Sequence, residues 1–285
     1  MSTDVVLTGT GVPHPRPGTA GAGTLVRSGD VALQFDAGRA TVLRLMEAGT
    51  PPSALTALFL THVHSDHVVG LADLVMTRWI ERQVAAAGPL PLVAPEGAPA
   101  RFARRMLDAY DEDLALRVEH VGADPIELAV LPFEVPATPA EVWTSEDGTV
   151  RVLVVGVHHE PVHEAVAYRV ETPDGVVVVS GDTRVCDEVE DLAAGADVLV
   201  HEACRTSALA PVIAGTVFER IFDYHADTVA LGVMAERAGV RHLVLTHLIP
   251  PPDRPEDAEA FAADVRDGGY TGRVTVGTDL TRVAL

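Results

Sequence analysis

Hydrophobic residues along the chain occur in short runs that end at glycine, proline or charged residues, a pattern typical of folds that mix strands and helices. Runs rich in branched and aromatic residues predict strands at residues 5–7, 24–27, 31–35, 55–61, 91–94, 150–157, 165–171, 176–180, 198–200, 242–246 and 273–276. Apolar residues at helical spacing predict helices at residues 40–48, 71–87, 101–110, 226–238 and 256–265, and a helical turn at 192–195. The pattern is weakest at residues 114–142, where we expect short acidic strands.

A strand with a polar turn, then a helix, then a strand that ends in histidine occurs more than once. VALQFDAG leads to LFLTH, VVVVSGDT leads to VLVHEA, and HLVLTH repeats the last strand. This repetition predicts two similar β-rich halves, each covered by helices, and therefore an α+β fold with the architecture of a four-layer αββα sandwich. Because no low-complexity linker separates the halves, we expect one domain across residues 1–285.

The composition is that of a folded chain with a large core, since 47% of the 285 residues are hydrophobic and 22% are charged. Acidic residues outnumber basic ones by 41 to 21, and every basic residue is arginine. The formal net charge of −20 opposes nonspecific binding to nucleic acid, because cationic side chains supply most of the affinity for phosphate. A local basic site stays compatible with that charge.

The segment MSTDVVLTGTG has neither a basic region nor a continuous apolar stretch, so no secretory signal is predicted. Apolar runs without charge are too short for a membrane span, and we expect no contact with a membrane. Cys186 and Cys204 form neither a disulfide framework nor a CxxC motif. We therefore expect a reduced, soluble protein of the cytoplasm.

The strongest chemical signal is THVHSDH at residues 61–67, which follows a predicted buried strand and precedes a predicted helix. Imidazole and carboxylate are ligands that zinc and similar cations favour. His62 and His64 are two residues apart and would point to the same side at the end of a strand. Asp66 and His67 come one turn later and can bind a second cation about 3.5–4 Å from the first. The segment predicts a binuclear metal site; the alternative is a solvated loop that happens to be rich in histidine.

Two cations need about seven protein ligands, so further donors are expected downstream. The ends of other predicted strands supply the candidates His158, His159, Asp182 and His247. A single histidine at a strand end is more often structural or merely exposed. These residues are candidate ligands because the first segment requires partners.

The whole pattern resembles the metallo-β-lactamase-fold hydrolases, and among them the ribonuclease Z and arylsulfatase-like branch. The resemblance is carried by LTGTG, FDAG, THVHSDH, HHEPVHEAVAYRV, SGDT, LVHEA, YHADT and LVLTHLIPP, which span nearly the whole chain. It implies two Zn²⁺ ions, with Mn²⁺ or Fe as alternatives, and a homodimer. The implied ligands are His62, His64 and His159 for one ion and Asp66, His67 and His247 for the other, with Asp182 bridging both.

The histidine doublet leaves one ligand open to choice. In the branch that this chain resembles, the ligand histidine precedes an x-Pro-Val segment, and Ala-Tyr-Arg follows. His159 has this context in HEPV and AYR. His159 is therefore the preferred ligand, with His158 and His163 as alternatives.

The resemblance also implies roles beyond metal binding. Paired cations lower the pKa of a shared water towards neutrality, and Asp66 would orient or deprotonate that water. His225, in YHADT, resembles the proton-donating histidine of the branch, and Glu202 of LVHEA would hold its second nitrogen. The alternative for the segment around His225 is capping of the helix that begins at Ala226.

Two residues near the start of the chain are candidates for supporting roles. Asp36, in FDAG, is expected to orient a ligand histidine rather than to bind metal. Arg39 is a weaker candidate for contact with an anionic substrate, and a solvated arginine explains it equally well.

The substrate depends on a segment that is short here. Ribonuclease Z enzymes commonly insert a long basic arm between the Tyr-Arg strand and the GDT motif, and that arm grips tRNA. Only eleven residues separate Arg169 from Gly181, enough for a tight hairpin and no arm. The densest basic group, formed by Arg101, Arg104 and Arg105, is explained by a solvated helix face.

We therefore expect a binuclear-metal hydrolase that acts on phosphodiester or sulfate ester bonds of small anionic substrates. Ribonuclease Z, the endoribonuclease that processes tRNA 3′ ends, is the alternative, disfavoured by the charge and the missing arm. A lactonase or β-lactamase ranks lower, because those branches generally lack the paired glutamate and late histidine. A non-catalytic metal-binding relative also ranks lower, because every expected ligand position is filled.

Overall fold

Strands form two mixed sheets of seven strands each in the part of the chain that this computed structural model describes, residues 2–82, 84–85 and 87–285. The first sheet consists of β1 (Thr3–Gly9), β2 (Gly23–Ser28), β3 (Val31–Phe35), β4 (Ala57–Phe59), β5 (Pro91–Pro95), β6 (Ala129–Phe133) and β14 (Arg282–Ala284). The second sheet consists of β7 (Ala140–Thr144), β8 (Arg151–Gly156), β9 (Val166–Thr172), β10 (Gly175–Val179), β11 (Val198–Cys204), β12 (His242–Ile249) and β13 (Arg273–Val276).

The two sheets share one pattern of strand pairing. Their orders are β14-β1-β2-β3-β4-β5-β6 and β7-β8-β9-β10-β11-β12-β13. In each order the first four strands pair antiparallel, and the pairs from the fourth strand to the seventh are parallel. The two similar β-rich halves predicted from the sequence are therefore confirmed.

Helices cover the outer face of each sheet. Their bounds are α1 (Thr41–Glu47), α2 (Ser65–Val68), α3 (Leu71–Glu81), α4 (Ala98–Arg105), α5 (Asp111–Val121), α6 (Asp187–Leu192), α7 (Thr206–Ile213), α8 (Val217–Phe222), α9 (Thr228–Arg237) and α10 (Pro255–Asp267). None of the helices in the described ranges is both long and apolar enough to cross a membrane.

Both faces of each sheet are buried because successive strand residues point to opposite sides. In β4, Phe59 belongs to the core between the sheets, whereas Leu58 packs with the helices outside the first sheet. In β11, Val200 faces the other sheet and Leu199 packs with the helices outside the second. The layers are therefore helix, sheet, sheet and helix, which confirms the predicted α+β four-layer αββα sandwich. Burial on both faces explains the continuous apolar runs in the sequence.

Tyr168 in β9 connects the two sheets at the centre of the molecule. Its fully buried ring lies 5.4 Å from the ring centroids of both Phe35 and Phe59. Its hydroxyl donates a hydrogen bond of 2.7 Å to the carbonyl of Leu60, just before the histidine-rich segment. This hydrogen bond fixes the chain just before the histidine-rich segment against the second sheet.

Several predicted elements need correction. The acidic strands predicted from residue 114 are wrong at their start, where helix α5 occupies Asp111–Val121. This helix has no fully buried residue, and its apolar spacing is limited to Leu114, Val118 and Val121 among acidic residues, so its helical signal is weak. Helix α3 ends at Glu81 rather than at residue 87, and Gln83 and Ala86 of the predicted helix lie outside the described residues.

Two further differences concern helices near the second sheet. The helical turn predicted at residues 192–195 overlaps the end of α6, which covers Asp187–Leu192, and continues as a turn at residues 193–195. Helices α7 and α8, within residues 206–222, have no counterpart among the predicted elements. Both are short and largely exposed, so they carry only a weak periodic signal.

Candidate active site

Polar side chains gather at the edge where the two sheets present the carboxyl ends of their parallel strands. Asp36 directly follows β3, and His62 lies shortly after β4. Asp182 follows β10 through Gly181, whose φ of 61° lies in the left-handed region. A Cβ on Gly181 would lie 2.8 Å from the Cβ of Thr61, so only glycine lets the two halves approach this closely.

The first ligand group consists of His62, His64, His159 and Asp182, whose ligand atoms all lie within 4.8 Å of one another. Nε2 of His159 lies 3.1 Å from Nδ1 of His64. Nε2 of His62 and Nε2 of His159 each lie 3.9 Å from Oδ2 of Asp182. Side chains from three separate segments of the chain therefore converge on one point.

The second ligand group consists of Asp66, His67 and His247, again with all ligand atoms within 4.8 Å. Nε2 of His247 lies 3.2 Å from Oδ2 of Asp66. Oδ2 of Asp182 lies 3.3 Å from Nε2 of His67 and 3.4 Å from Nε2 of His247. Asp182 consequently contacts imidazoles of both groups, the position that a bridging ligand must occupy.

The structure places one histidine of the doublet among the candidate ligands. His159 is 1% exposed and belongs to the first ligand group. The side chain of His158 is 39% exposed, and its Nε2 lies 3.2 Å from Oε1 of Glu188. His163 is exposed. The geometry thus brings His159 to the site and leaves both alternatives outside it.

His247 reaches the site through an irregularity in β12. Glu202 of β11 pairs with Thr246, but the next residue, Ala203, pairs with Leu248. His247 is therefore an extra residue in the ladder, and its φ is 45°. A bulge of this kind changes the direction of a side chain next to an active site. The strand continues to Ile249, so His247 lies within it and not at its end as predicted.

Asp36 holds one imidazole and the backbone of the histidine-rich segment together. Its Oδ2 lies 2.8 Å from Nδ1 of His67. Its Oδ1 accepts a hydrogen bond of 2.8 Å from the backbone N–H of Thr61, and Oδ2 accepts one of 2.7 Å from the Thr61 hydroxyl. This contact leaves Nε2 of His67 facing the second ligand group. Thr61 was not singled out from the sequence, although it precedes His62 directly.

The donor set fits divalent cations. Nε2 of His62 and Nε2 of His67 are buried without a hydrogen-bond partner, an arrangement that costs free energy unless something else binds them. Burial, together with the charge of neighbouring His67, holds the pKa of His62 well below its ordinary value. His62 is therefore neutral, as a metal ligand must be.

The charges of the other groups support the same interpretation. Burial tends to raise the pKa of Asp182, but the imidazoles of His247 and His67 outweigh it and hold that pKa well below its ordinary value. Burial tends to lower the pKa of His67, but Asp182 and Asp36 outweigh it and raise that pKa well above its ordinary value. A proton on His67 and a cation therefore compete for the same nitrogen.

Glu202 and His225 form a buried pair beside the ligand groups. Oε1 of Glu202 lies 2.8 Å from Nδ1 of His225 and also accepts a hydrogen bond of 2.9 Å from the N–H of Thr183. Burial lowers the pKa of His225, but the charge and hydrogen bond of Glu202 outweigh it and raise the pKa to about 9. A ligand atom of His225 also lies within 4.8 Å of donors from Asp182 and His247.

The helix that follows His225 is capped by another residue. Oδ1 of Asp227 accepts hydrogen bonds of 3.1 Å from the N–H of Val229 and 3.2 Å from the N–H of Ala230. Helix α9 accordingly has Asp227 as its N-cap. His225 does not cap the helix, and its side chain faces the ligand groups.

Arg39 lies beside the glycine- and proline-rich loop at residues 10–22. Its guanidinium donates hydrogen bonds of 3.3 Å to the carbonyl of Val12 and 3.1 Å to the carbonyl of Pro13. These contacts hold the loop near the site. Binding of a substrate anion by Arg39 stays a prediction.

A cavity of about 440 Å³ opens from the ligand groups towards helices α7 and α8. Its lining includes Asp66, Asp182 and His225 on one side and Phe218 and Phe222 on the other. The aromatic residues were missed in the sequence. Phe218, Ile221 and Phe222 stand at i, i+3 and i+4, and this spacing was the available signal.

Comparison with known proteins defines the class. Residues 34–248 match the family of the Beta-lactamase superfamily domain. The chain belongs to this family, and with its two sheets and its histidine–aspartate cluster it is a hydrolase of the metallo-β-lactamase fold.

Sequence relatives carry a more particular name. A protein of Mycobacterium bovis (strain BCG / Pasteur 1173P2) named Ribonuclease Z is 37% identical over 286 residues, which cover 98% of this chain and 97% of that protein. A protein of the same name from Mycobacterium sp. (strain KMS) is 39% identical over 283 residues, 98% of this chain and 95% of that protein. The predicted resemblance to the ribonuclease Z branch is therefore confirmed.

Solved structures share the fold over the whole chain. The metallo-β-lactamase fold protein YhfI from Bacillus subtilis aligns with a TM-score of 0.70 at 21% identity and covers 100% of both chains. The short form of human tRNase Z aligns with a TM-score of 0.67 at 20% identity and covers 98% of both chains.

Proposed function

We propose that the protein is a ribonuclease Z, an endonuclease that cleaves precursor tRNA at its 3′ end with two divalent cations. The observation that carries this proposal is the position of Asp182. Its Oδ2 lies within 3.9 Å of imidazole nitrogens from both ligand groups, the arrangement that pairs two cations for attack on a phosphodiester. The name shared by relatives that match nearly the whole chain supports the same activity.

The missing arm does not weigh against this proposal as the sequence suggested. An alignment of 286 positions covers 98% of this chain and 97% of the Mycobacterium bovis relative. Neither chain can therefore contain a long insertion that the other lacks. A short hairpin between Arg169 and Gly181 is thus compatible with the name that the relative carries, and tRNA moves ahead of small esters as the preferred substrate.

Seven residues would hold the cations. They are His62, His64, Asp66, His67, His159, Asp182 and His247. When bound, two divalent cations would supply an activated water and offset the negative charge of the phosphoryl oxygens. Asp66, which also lines the cavity, orients the attacking water with its carboxylate. Asp36 holds His67 in the orientation that presents Nε2 to the site.

His225 supplies the proton that the leaving oxygen needs. A ribose 3′ oxygen leaves poorly as an alkoxide, so a positioned acid accelerates its departure. Because Glu202 raises the pKa of His225 to about 9, the imidazolium is the main form at neutral pH. Glu202 occupies Nδ1, which leaves Nε2 as the nitrogen that donates.

A small phosphodiester is the second candidate substrate, and one observation favours it. The net charge of −20 reduces long-range attraction for a polyanion such as tRNA. A small diester carries one negative charge, so the acidic protein repels it less than it repels tRNA. Sulfate esters are kept in the test below, because their hydrolysis uses the same charge arrangement.

The deciding experiment compares three substrates with the zinc-loaded protein: a precursor tRNA with a 3′ trailer, bis-p-nitrophenyl phosphate and p-nitrophenyl sulfate. The proposal expects cleavage of the precursor at one 3′ position, with a kcat/KM far above that for either small ester. An Asp191→Ala variant, altered at an exposed position of α6, serves as a control with unchanged activity. Rapid hydrolysis of a small ester with intact precursor tRNA would reverse the order of the two candidates.

Zinc as the bound metal and a homodimer are further proposals from the family resemblance, and a cytoplasmic location is a further proposal from the sequence. Metal analysis of protein purified without added cations tests the first. Sedimentation equilibrium tests the second, and fractionation of the source cells tests the third.

A further inference from the structure

One side of the active-site cavity is apolar. This apolar wall consists of Leu209, Phe218, Ile221, Phe222 and Ile249. It is continuous with the ligand groups, since His64, Asp66, Asp182 and His247 line the same cavity. A substrate that is bound at the ligand groups and fills the cavity therefore contacts the apolar wall.

Two aromatic rings make up the middle of the apolar wall. The centroids of Phe218 and Phe222 lie 5.7 Å apart, with 31° between the ring planes. Phe222 packs against the small buried cluster that contains Val12 and Ile249, which supports it from behind. Phe218 is 47% exposed and has no such support. A large exposed ring beside a catalytic cavity leaves an aromatic face open to a ligand.

The apolar wall itself offers no charged partner for a second phosphate. No arginine lines the cavity among the described residues. Two arginines of the neighbouring loop region are engaged, because Arg39 donates to the carbonyls of Val12 and Pro13 and Arg16 donates to the carbonyl of Pro252. A phosphate placed against the apolar wall would lie against hydrocarbon, which costs free energy.

We propose that the apolar wall binds the nucleobase next to the scissile phosphate, so that the site takes nucleotide diesters in preference to diesters without a ring. This inference rests on the phosphodiesterase function proposed above. A nucleobase has a flat face of low polarity that stacks on aromatic side chains regardless of its sequence identity. The ligand groups position the phosphate, and the apolar wall positions the base.

The test measures binding to the zinc-loaded protein by titration calorimetry. Uridine 5′-phosphate and ribose 5-phosphate share the ribose phosphate, and only the first carries a base. The wild-type protein should bind uridine 5′-phosphate about fivefold or more tightly than ribose 5-phosphate, because one stacked base contributes at least about that factor. In Phe218→Ala the preference should fall about fivefold or more, while the affinity for ribose 5-phosphate changes less than about twofold.

Two variants complete the design. Leu116→Ala removes a side chain that is 66% exposed on α5, outside the cavity lining, and should keep the full preference. Phe222→Leu keeps an apolar side chain in place but removes the ring, so it should also reduce the preference while the protein stays folded. Equal affinity of the wild-type protein for the two ligands would overturn the inference, as would an equal loss for both ligands in Phe218→Ala.

Failure of this inference is distinguishable from failure of the proposed function. If precursor tRNA stays intact while the base preference depends on Phe218, the apolar wall is supported and ribonuclease Z activity is rejected. If precursor tRNA is cleaved while base preference is absent, the apolar wall is rejected and the proposed function stands.

Discussion

Oε1 of Glu202 lies 2.8 Å from Nδ1 of His225, and both side chains are buried beside the ligand groups. The same oxygen accepts the N–H of Thr183, which fixes the carboxylate in place. A buried carboxylate that is held in this way favours the charged form of its imidazole partner. The pair is therefore built to keep a proton available near the proposed leaving oxygen.

Replacing Glu202 with glutamine should move the basic limb of the pH–rate profile to lower pH. The charge of Glu202 raises the pKa of His225 to about 9, against the lowering effect of burial. Glutamine keeps a hydrogen-bonding group but removes the charge, so His225 loses its proton at lower pH, by about one pH unit or more. The profile of kcat/KM between pH 6 and pH 10, in roughly half-unit steps, measures the shift. Glu188→Gln, which alters the exposed contact with His158, is the matched control; an unmoved basic limb in Glu202→Gln would remove His225 as the acid.

His225→Ala should reduce kcat by about 10²- to 10⁴-fold while the protein keeps two equivalents of metal. The reason is that the imidazole donates a proton and is not needed to hold a cation. Metal content by mass spectrometry and kcat with precursor tRNA, whose leaving ribose oxygen needs the proton, are measured on the same preparation. The measurement distinguishes two roles, because a His225 donor atom lies within 4.8 Å of donors from Asp182 and His247 and could itself bind a cation. Loss of one metal equivalent would make His225 a ligand instead.

Asp182→Ala should strip the metal and abolish turnover. Asp182 is the one residue in the described chain whose carboxylate oxygen lies within 3.4 Å of His67 and His247 and within 3.9 Å of His62 and His159. Its removal leaves both ligand groups short of a negative charge. Metal content after gel filtration is the measurement, with Asp191→Ala as the control. Retention of two equivalents would show that Asp182 does not bridge.

Asp36→Asn should weaken metal affinity by about 10- to 100-fold without loss of folding. Asparagine preserves the size of the side chain and one acceptor for the Thr61 N–H, but it removes the charge that orients His67. Competition with a chromogenic chelator measures the affinity. An unchanged affinity would show that the contact between Asp36 and His67 has no influence on the metal.

Tyr168→Phe should lower the free energy of unfolding by about 1–3 kcal/mol, because the buried carbonyl of Leu60 loses its hydrogen-bond donor. The ring itself stays packed between Phe35 and Phe59. Denaturant unfolding of the metal-free protein gives the difference, and Phe133→Leu, at the edge of the same aromatic cluster, is the comparison. A wild-type stability in Tyr168→Phe would contradict the role assigned to the hydroxyl.

Much of the fold and part of the site follow from local sequence. The continuous apolar runs in β4 and at the start of β11 predict strands buried on both faces, because successive side chains of a strand point to opposite sides. His62, His64, Asp66 and His67 are close in sequence, so the short segment that carries them brings them together in any fold that forms β4 and α2. These features depend on neighbours along the chain, and the sequence contains that information.

Tertiary structure decided the rest. His158 and His159 are chemically identical neighbours, and only packing turns one towards Asp182 and the other towards Glu188. The bulge that directs His247 arises from its pairing with β11. The apolar wall exists because α7 and α8 fold over the ligand groups. In each case the outcome depends on contacts between segments that are distant along the chain, and the residues of one segment do not specify which other segment it will meet.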